Sequence, residues 1–380
     1  MHCTIQNMPE PNSTVVVGMS GGVDSTLTAY MLKQSGCKVI GVTMSLWDGH
    51  IQAVQNDGCR DTCYSPHEQE DIAECKQFCE KHNIEYHVLD VSESYNRLVL
   101  DYVTSEYRSG RTPNPCIRCN SLIKFGALLD GLQNSGLDYD YFCTGHYAAV
   151  VRPDEGLFGT ECRPCMIAVA ADKSKDQSYF LYRLPSDLLE KVRFPLASLP
   201  KSEVFRLARE ADIAAAERKE SQDFIAAPYF KALFADKPSC GGNVLDDQGN
   251  IIGTHSGIEH YTIGQRKGFS VRRNDPVYIQ SINASDNTIT VVPKDKLLSP
   301  ALLASDMVWP GGIIPNKPFR AVTKIRLRSP AAAATVEPTD NPSKWRIVFD
   351  EPQSAVTPGQ SVVLYQDDVI VGGGIIEKGL

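Results

Sequence analysis

Between residues 13 and 150, short apolar runs alternate with longer stretches whose apolar positions recur at helical spacing. VVVGM (15–19), VIGVTMSL (39–46), EYHVLDV (85–91) and YFCTGHYAAV (141–150) read as strands, with helices over 23–33, 67–82 and 94–107 between them. This alternation predicts an α/β fold, a doubly wound parallel sheet with helices on both faces. A ligand in such a sheet lies beyond the strand C-termini, where residues 19–25 and Thr144-Gly145-His146 would both fall. Residues 186–216 are more helical, with Pro200 opening a helix over 201–211. After residue 227 short strands and DDQG and GN turn signals take over. From residue 296 short alternating strands recur (AVTKIRLR, WRIVFD, SVVLYQ, VIVGGGII), separated by Asp340, Asn341, Pro342, Pro358 and Gly359. They predict a small β-barrel or sandwich, with 331–334 as a loop or strand edge. The three textures divide the chain into 1–226, 227–295 and 296–380.

The run VVVGMSGGVDSTLTAYML (15–32) carries the most chemistry. Ser20-Gly21-Gly22 lets the backbone turn tightly between strand and helix and present N–H groups outward. The helix N-terminus adds free N–H groups and a positive dipole end for an anion. Asp24 in the first turn suits Mg²⁺, and the Ser25 hydroxyl suits a phosphate oxygen. A kinase-type loop would read GxxxxGK[ST], and no lysine lies within this one. The pattern points to a grip on pyrophosphate, hence adenylation with pyrophosphate release rather than phosphoryl transfer. SGGVDS resembles the signature of the PP-loop ATP pyrophosphatases, among which are amidating, ligating and sulfur-transferring enzymes.

The net charge of −8 argues against nonspecific coating of nucleic acid, but local basic clusters remain at Arg266-Lys267, Arg272-Arg273 and Lys324-Ile325-Arg326-Leu327-Arg328. No apolar run reaches the roughly 20 residues of a membrane span, and MHCTIQNMPEPNST lacks a charged-then-apolar leader. A cytoplasmic protein without membrane contact is expected. Twelve cysteines then read as packing residues with a few for redox or metal work. Cys75 and Cys79 are four apart on a helix, with Cys59 and Cys63 in the loop before it, and burial is the expectation for this group. His146 reads as ligand-touching or structural, and His255 and His260 as structural.

Several stretches together resemble the tRNA-specific 2-thiouridylases, which replace O2 of the wobble uridine with sulfur. They are GMSGGVDS (18–25), RTPNPCIRCNSLIKFG (111–126), TGHYA (144–148), KDQSYFLY (175–182), ESQDFI (220–225), YTIGQRKG (261–268) and TKIRLRSP (323–330), spread over nearly the whole chain. The resemblance implies a PP-loop catalytic domain (adenine nucleotide alpha-hydrolase-like), a small central domain and a C-terminal β-barrel. It implies ATP binding by Gly18, Met19, Ser20, Gly21, Gly22, Val23, Asp24 and Ser25, with Met44 on the adenine side and Gly145 near the nucleotide. It places the target base at Asn114, Pro115 and Cys116, the catalytic nucleophile at Cys119, and tRNA contacts at Lys175, Asp176, Gln177, Arg326 and Leu327. ATP and Mg²⁺ are the implied cofactors; tRNA and an upstream persulfide sulfur carrier are the implied partners. A thiolate does this work well when a helix N-terminus or a cation lowers its pKa, and Arg118 before Cys119 with a helix beginning at Asn120-Ser121 would supply both.

Two positions depart from the pattern: the family usually has aspartate where this chain has Cys116, and a later cysteine is missing. The family carries a second cysteine shortly after its ESQD-like motif, where this chain has Ile225, and there is no cysteine between Cys165 and Cys240. Three alternatives stand. Cys116 replaces the missing thiol, because Cys116-Ile117-Arg118-Cys119 is a CxxC pair. The pair ligates a metal or iron–sulfur cluster, with Cys162-Arg163-Pro164-Cys165 as a second pair. Or thiolation is lost while ATP and tRNA binding persist. Rival functions are a PP-loop ligase or synthetase that adenylates another carbonyl for attack by ammonia or an amine, and a tRNA-binding protein with ATP as a structural ligand.

Overall fold

The computed structural model describes residues 1–51, 62–217, 223–271 and 275–380. Five parallel strands form one sheet, in the order Glu85–Asp90, Lys38–Ser45, Thr14–Gly18, Tyr141–Thr144, Val192–Arg193. Val15, Val16 and Val17 are fully buried because the two faces of their strand are covered by different layers. Val15 and Val17 pack with Ala29 and Leu32 of the helix Val23–Gln34 and with Cys75 and Cys79 of the helix Glu68–Lys81. Val16 faces the other way, onto Ile117, Phe125, Leu128 and Leu132. Each such side chain contributes about 1.5–3 kcal/mol on burial, which fixes the central strand and so the loop that leaves it. The order of pairing reverses at Thr14–Gly18, and the loops on either side of that reversal, 19–22 and 145–147, meet at the sheet end.

YFCTGHYAAV is two strands rather than one. Tyr141–Thr144 belongs to the parallel sheet, whereas Ala148–Pro153 pairs antiparallel with Cys3–Ile5 and Met166–Val169 in a different sheet. Gly145-His146-Tyr147 is the corner between them, which is why it sits at the nucleotide end.

Two helical stretches pack beside the sheet, and each changes register in its middle. Residues 92–108 run α, then π over Asn96–Leu100, then α. Residues 115–134 do the same, with the π segment over Asn120–Ala127. Wide turns of this kind inside a helix often accompany functional sites. The second helix begins at Pro115, not at Asn120 as expected. Asn114 caps it, its Oδ1 accepting from Ile117 N at 3.2 Å, and proline at the first position loses no bond that the helix needs.

The C-terminal strands Leu298–Val308, Lys344–Ser354, Ala332–Pro338, Phe319–Lys324, Ser361–Gln366 and Val369–Gly379 close into a six-stranded barrel. Residues 332–334, left open between loop and strand edge, are paired strand. Ala168 pairs with Val369, so the strands that leave the nucleotide corner run on into the barrel's sheet. Between the two lies a five-stranded sheet with its own core of Val244, Tyr261, Ile279, Ile289 and Val291.

Candidate functional site

The loop after the central strand is held from three sides. Met19 N donates to Val42 O at 2.8 Å and its side chain is buried, so the loop starts flush with the sheet. Gly21 has φ +75°, and a Cβ there would stand 3.0 Å from Asp71 Cβ, so a side chain at this position would be strained. Ser25 Oγ accepts from Ser20 N and donates to Gly22 O, both at 3.1 Å. Ser20 and Gly22 are exposed, Val23 is buried against the neighbouring helix, and the helix beginning at Val23 has no side-chain cap. Its first-turn N–H groups are therefore open to an anion.

The lysine absent from the loop arrives from 177 residues away. Lys201 Nζ lies 2.7 and 2.8 Å from the two carboxylate oxygens of Asp24, and Tyr147 OH donates to the same carboxylate at 2.9 Å. Lys201 opens the helix Lys201–Glu210, and only 8% of its side chain is exposed. Asp24 was expected as a carboxylate for Mg²⁺; it is first the partner of an ammonium. Gly145 approaches this pair from the other strand end, and a Cβ on it would stand 2.7 Å from Asp24 C and 2.8 Å from Ser25 N. Its role is close backbone contact. His146 is structural: its Nδ1 bonds Thr144 Oγ1 at 2.7 Å, its ring meets Phe125 and Phe194, and burial, aided by the Lys124 charge, holds its pKa well below 6.5.

Cys116 and Cys119 lie in the first turns of the helix that Asn114 caps. Both thiols are pushed up by burial, Cys116 to about 12 and Cys119 to about 11. A lowered pKa was expected from Arg118 and a helix start at Asn120. Burial outweighs the helix start, which lies at Pro115 and not Asn120, and Arg118 turns away to donate to Leu98 O at 2.7 Å. Lys124, one turn further on, is the cation that pulls both thiols back down. A third thiol joins them. Cys63 lies on the strand Thr62–Tyr64, which pairs in parallel with Asp223–Ile225, and its charge acts on Cys116 and Cys119 alike. Cys63 was expected to be buried; the residue is exposed although burial pushes its thiol up, whereas Cys75 and Cys79 are buried as expected and Cys59 falls outside the described residues. Ile225 is 5% exposed and packs with Tyr64, Tyr95, Ile123 and Tyr229 in the cluster that also receives Cys119 and Met44.

Cys162 and Cys165 serve elsewhere: Cys162 is exposed, and the buried Cys165 thiol meets Gln6 and Arg152. Among the described residues no group of three or more His, Cys, Asp or Glu side chains is arranged to hold a metal ion, so the cluster alternative finds no donor set there. Nor is any described helix long and apolar enough to cross a membrane.

The residues expected to meet tRNA divide in two. Asp176 is buried, with its carboxylate taken by Ala170 N, Ser178 N and Ser178 Oγ. Gln177 accepts from Tyr147 N at 2.9 Å and donates its own N–H to Tyr147 O at 2.7 Å. These two brace the corner that carries Tyr147 to Asp24. Lys175 is half-buried beside them. In the barrel, Lys324 approaches Asp176 at 3.7 Å, Arg326 donates to Ser354 O, Leu327 packs on the core, and Arg328 is exposed. The strand ends at Lys324, so these cations ride on a turn. Arg266 and Lys267 are exposed, whereas Arg272, Arg273, Glu220, Ser221 and Gln222 fall outside the described residues. His255 and His260 bond Asn287 O and Ser239 Oγ, structural as read.

A half-buried ammonium–carboxylate pair beside the glycine loop at the end of a parallel sheet, with thiols on the adjoining helix, marks a PP-loop enzyme. Family models match 13–226 (tRNA methyl transferase HUP domain), 233–293 (tRNA methyl transferase PRC-barrel domain) and 299–376 (Aminomethyltransferase beta-barrel domain). The tRNA-specific 2-thiouridylase MnmA of Endomicrobium trichonymphae is 39% identical over 97% of this chain and 99% of its own length. That of Carboxydothermus hydrogenoformans is 40% identical over 96% and 98%. Among solved structures, a 4-thiouridine synthetase–RNA complex with bound ATP aligns at 13% identity and a TM-score of 0.29, covering 54% of this chain and 42% of that one. The chain belongs to the tRNA-specific 2-thiouridylase family.

Proposed function

We propose that this chain is a tRNA-uridine 2-sulfurtransferase, which adenylates O2 of the wobble uridine with ATP and replaces it with sulfur carried on Cys119. The observation that supports this reading is the packing of the CxxC helix: Ile117 and Phe125 share a core with Val16 of the strand that leads into the loop, and Cys119 and Met44 adjoin one cluster. The loop and the thiols therefore ride on neighbouring elements. A ligase using ammonia or an amine has no use for these thiols.

A uracil carbonyl oxygen is a poor leaving group; as part of AMP it is a good one. The loop N–H groups, Ser20 and Lys201 receive the charge that builds on the departing pyrophosphate, where preorganised donors act most strongly. Met44, at the end of the neighbouring strand, adjoins both the sheet core and the thiol cluster and would border the adenine. Mg²⁺ bound with ATP would find its carboxylate in Asp24 and would neutralise phosphate charge. Cys119 takes the terminal sulfur from a persulfide carrier, and that sulfur attacks C2 as AMP leaves. A second thiol then attacks Cys119 Sγ, freeing sulfur on C2 and forming a disulfide that an external dithiol reduces. Cys116 is nearest in sequence for that step, with Cys63 the other thiol in reach of its charge. Residues 1–226 form the catalytic unit, 227–295 a small connecting unit, and 296–380 the barrel that offers Lys324, Arg326 and Arg328 to tRNA.

Purified protein, an unmodified tRNA transcript, ATP and a persulfide donor test the reading by nucleoside mass spectrometry. It requires 2-thiouridine in step with AMP. AMP and pyrophosphate without thiolated nucleoside would leave the ligase alternative in its place.

A further inference from the structure

A cavity of about 270 Å³ opens where the CxxC helix meets the barrel, and three arginines stand in its wall: Arg111, Arg118 and Arg183. Two are neutralised. Arg111 pairs with Glu106 at 2.8 Å and Glu377 at 3.8 Å, and Arg183 pairs with Asp306 at 2.9 Å. Arg118 has no carboxylate partner among the described residues. Its Nε donates to Leu98 O at 2.7 Å, and its guanidinium carbon stands 3.9 Å from the centroid of the Tyr102 ring. The carbonyl belongs to the π segment of the neighbouring helix. These contacts fix the plane of the guanidinium yet occupy only one of its N–H groups. The terminal nitrogens remain as a planar fork whose spacing matches two oxygens of one phosphate. A half-buried arginine oriented in this way, with no counter-ion, is a prepared anion site.

Its position selects among anions. The cavity shares no residue with Gly18–Ser25, Gly145 or Lys201, so the phosphates of ATP are held elsewhere. It does share Asn114 with the target-base segment, and Arg118 directly precedes Cys119 in the chain. A nucleotide whose base enters at Asn114 brings its sugar-phosphate backbone to this wall. We propose that Arg118 binds a phosphodiester of the RNA backbone beside the nucleotide to be modified, setting the register of the strand against Cys119. The inference rests on the tRNA reading above. Phosphate contacts fix position without reading sequence, so the effect applies to every tRNA substrate alike.

The test is tRNA affinity across a salt series for the wild type, Arg118→Gln and Arg118→Lys, with ATP affinity measured in parallel. One phosphate contact contributes about 0.7–0.9 to the slope of log K against log salt. Arg118→Gln is expected to lose that increment with ATP affinity unchanged. Arg118→Lys is expected to keep the slope, as a point charge, but to bind more weakly for want of the fork. A wild-type slope in Arg118→Gln overturns the proposal. If Arg118→Gln fails to fold, Arg118→Lys decides: unchanged affinity overturns the assignment, and weakened affinity with the slope retained supports it. Failure of the wild type to bind tRNA at all would instead remove the reading on which the inference rests.

Discussion

Lys201→Gln tests the proposal that Lys201 serves the departing pyrophosphate. Its ammonium sits 2.7 and 2.8 Å from the Asp24 oxygens, with 8% of the lysine side chain exposed and 29% of the aspartate's. At that separation and an effective dielectric near 20 the gross attraction is about 6 kcal/mol. Desolvation offsets most of it, and water reaching the more open Asp24 replaces part of the remainder. A net loss of about 1–2 kcal/mol of stability follows, the scale of a hydrogen bond to a charged group. The catalytic loss is larger. Without Lys201 the departing pyrophosphate keeps only the loop donors, and removal of one such group costs about 10²–10³ in rate. Single-turnover pyrophosphate release at saturating ATP and tRNA measures this directly, with folding followed by circular dichroism. Tyr147→Phe, which removes a neutral donor from the same carboxylate, is expected to cost much less. Pyrophosphate release by Lys201→Gln within a small factor of the wild type would refute the assignment of Lys201 as the missing cation.

The remaining predictions concern the corner and the thiols. Gly145→Ala must push the 144–147 corner off Asp24 and Ser25, because its Cβ would lie 2.7 and 2.8 Å from their backbone atoms; calorimetry should show weakened ATP binding with tRNA binding retained, and normal ATP affinity would refute the close-contact role. Burial pushes the Cys119 thiol up to about 11, so its alkylation rate should rise about tenfold per pH unit from pH 7 to 9, and Lys124→Met should slow it at every pH. A plateau below pH 8 would contradict the burial account. Because the folded thiol ionises above its ordinary value of 9.0, its contribution to stability is complete below pH 9 and is lost as pH rises toward 11. Cys116→Ser and Cys63→Ser, assayed for 2-thiouridine and for a disulfide to Cys119 after turnover, identify the resolving thiol: the essential one is the one whose disulfide is trapped, and full activity in both variants would remove the resolving step.

The central strand and its loop were legible because three consecutive valines, a glycine pair and a helix start are local signals. The corner was half legible. Thr144-Gly145-His146 stood out at a strand end, but nothing in YFCTGHYAAV marks the change of sheet, which depends on pairing with Cys3–Ile5 and Met166–Val169. Lys201 was invisible as a site residue: a lysine after proline at the start of an amphipathic helix reads as surface charge, and only the fold brings it back to Asp24. Asn114-Pro115 did carry a helix-start signal, passed over in favour of Asn120-Ser121. The π segments leave no mark in composition, because register within a helix is settled by packing. Thiol acidity was misread for a related reason, since spacing places a cation in the chain whereas burial decides the pKa. Cys63 could be found only through the pairing of two short strands that are distant in sequence.

The central claim is that O2 of the target uridine leaves as part of AMP and is replaced by sulfur. A tRNA transcript carrying ¹⁸O at uridine C2 tests it most directly, incubated with this protein, ATP and a persulfide donor under single-turnover conditions. The account predicts that the heavy oxygen appears in AMP in proportion to the 2-thiouridine formed, and that Cys119→Ser yields no 2-thiouridine. Thiolated tRNA accompanied by unlabelled AMP, or thiolation that survives the loss of Cys119, would contradict it.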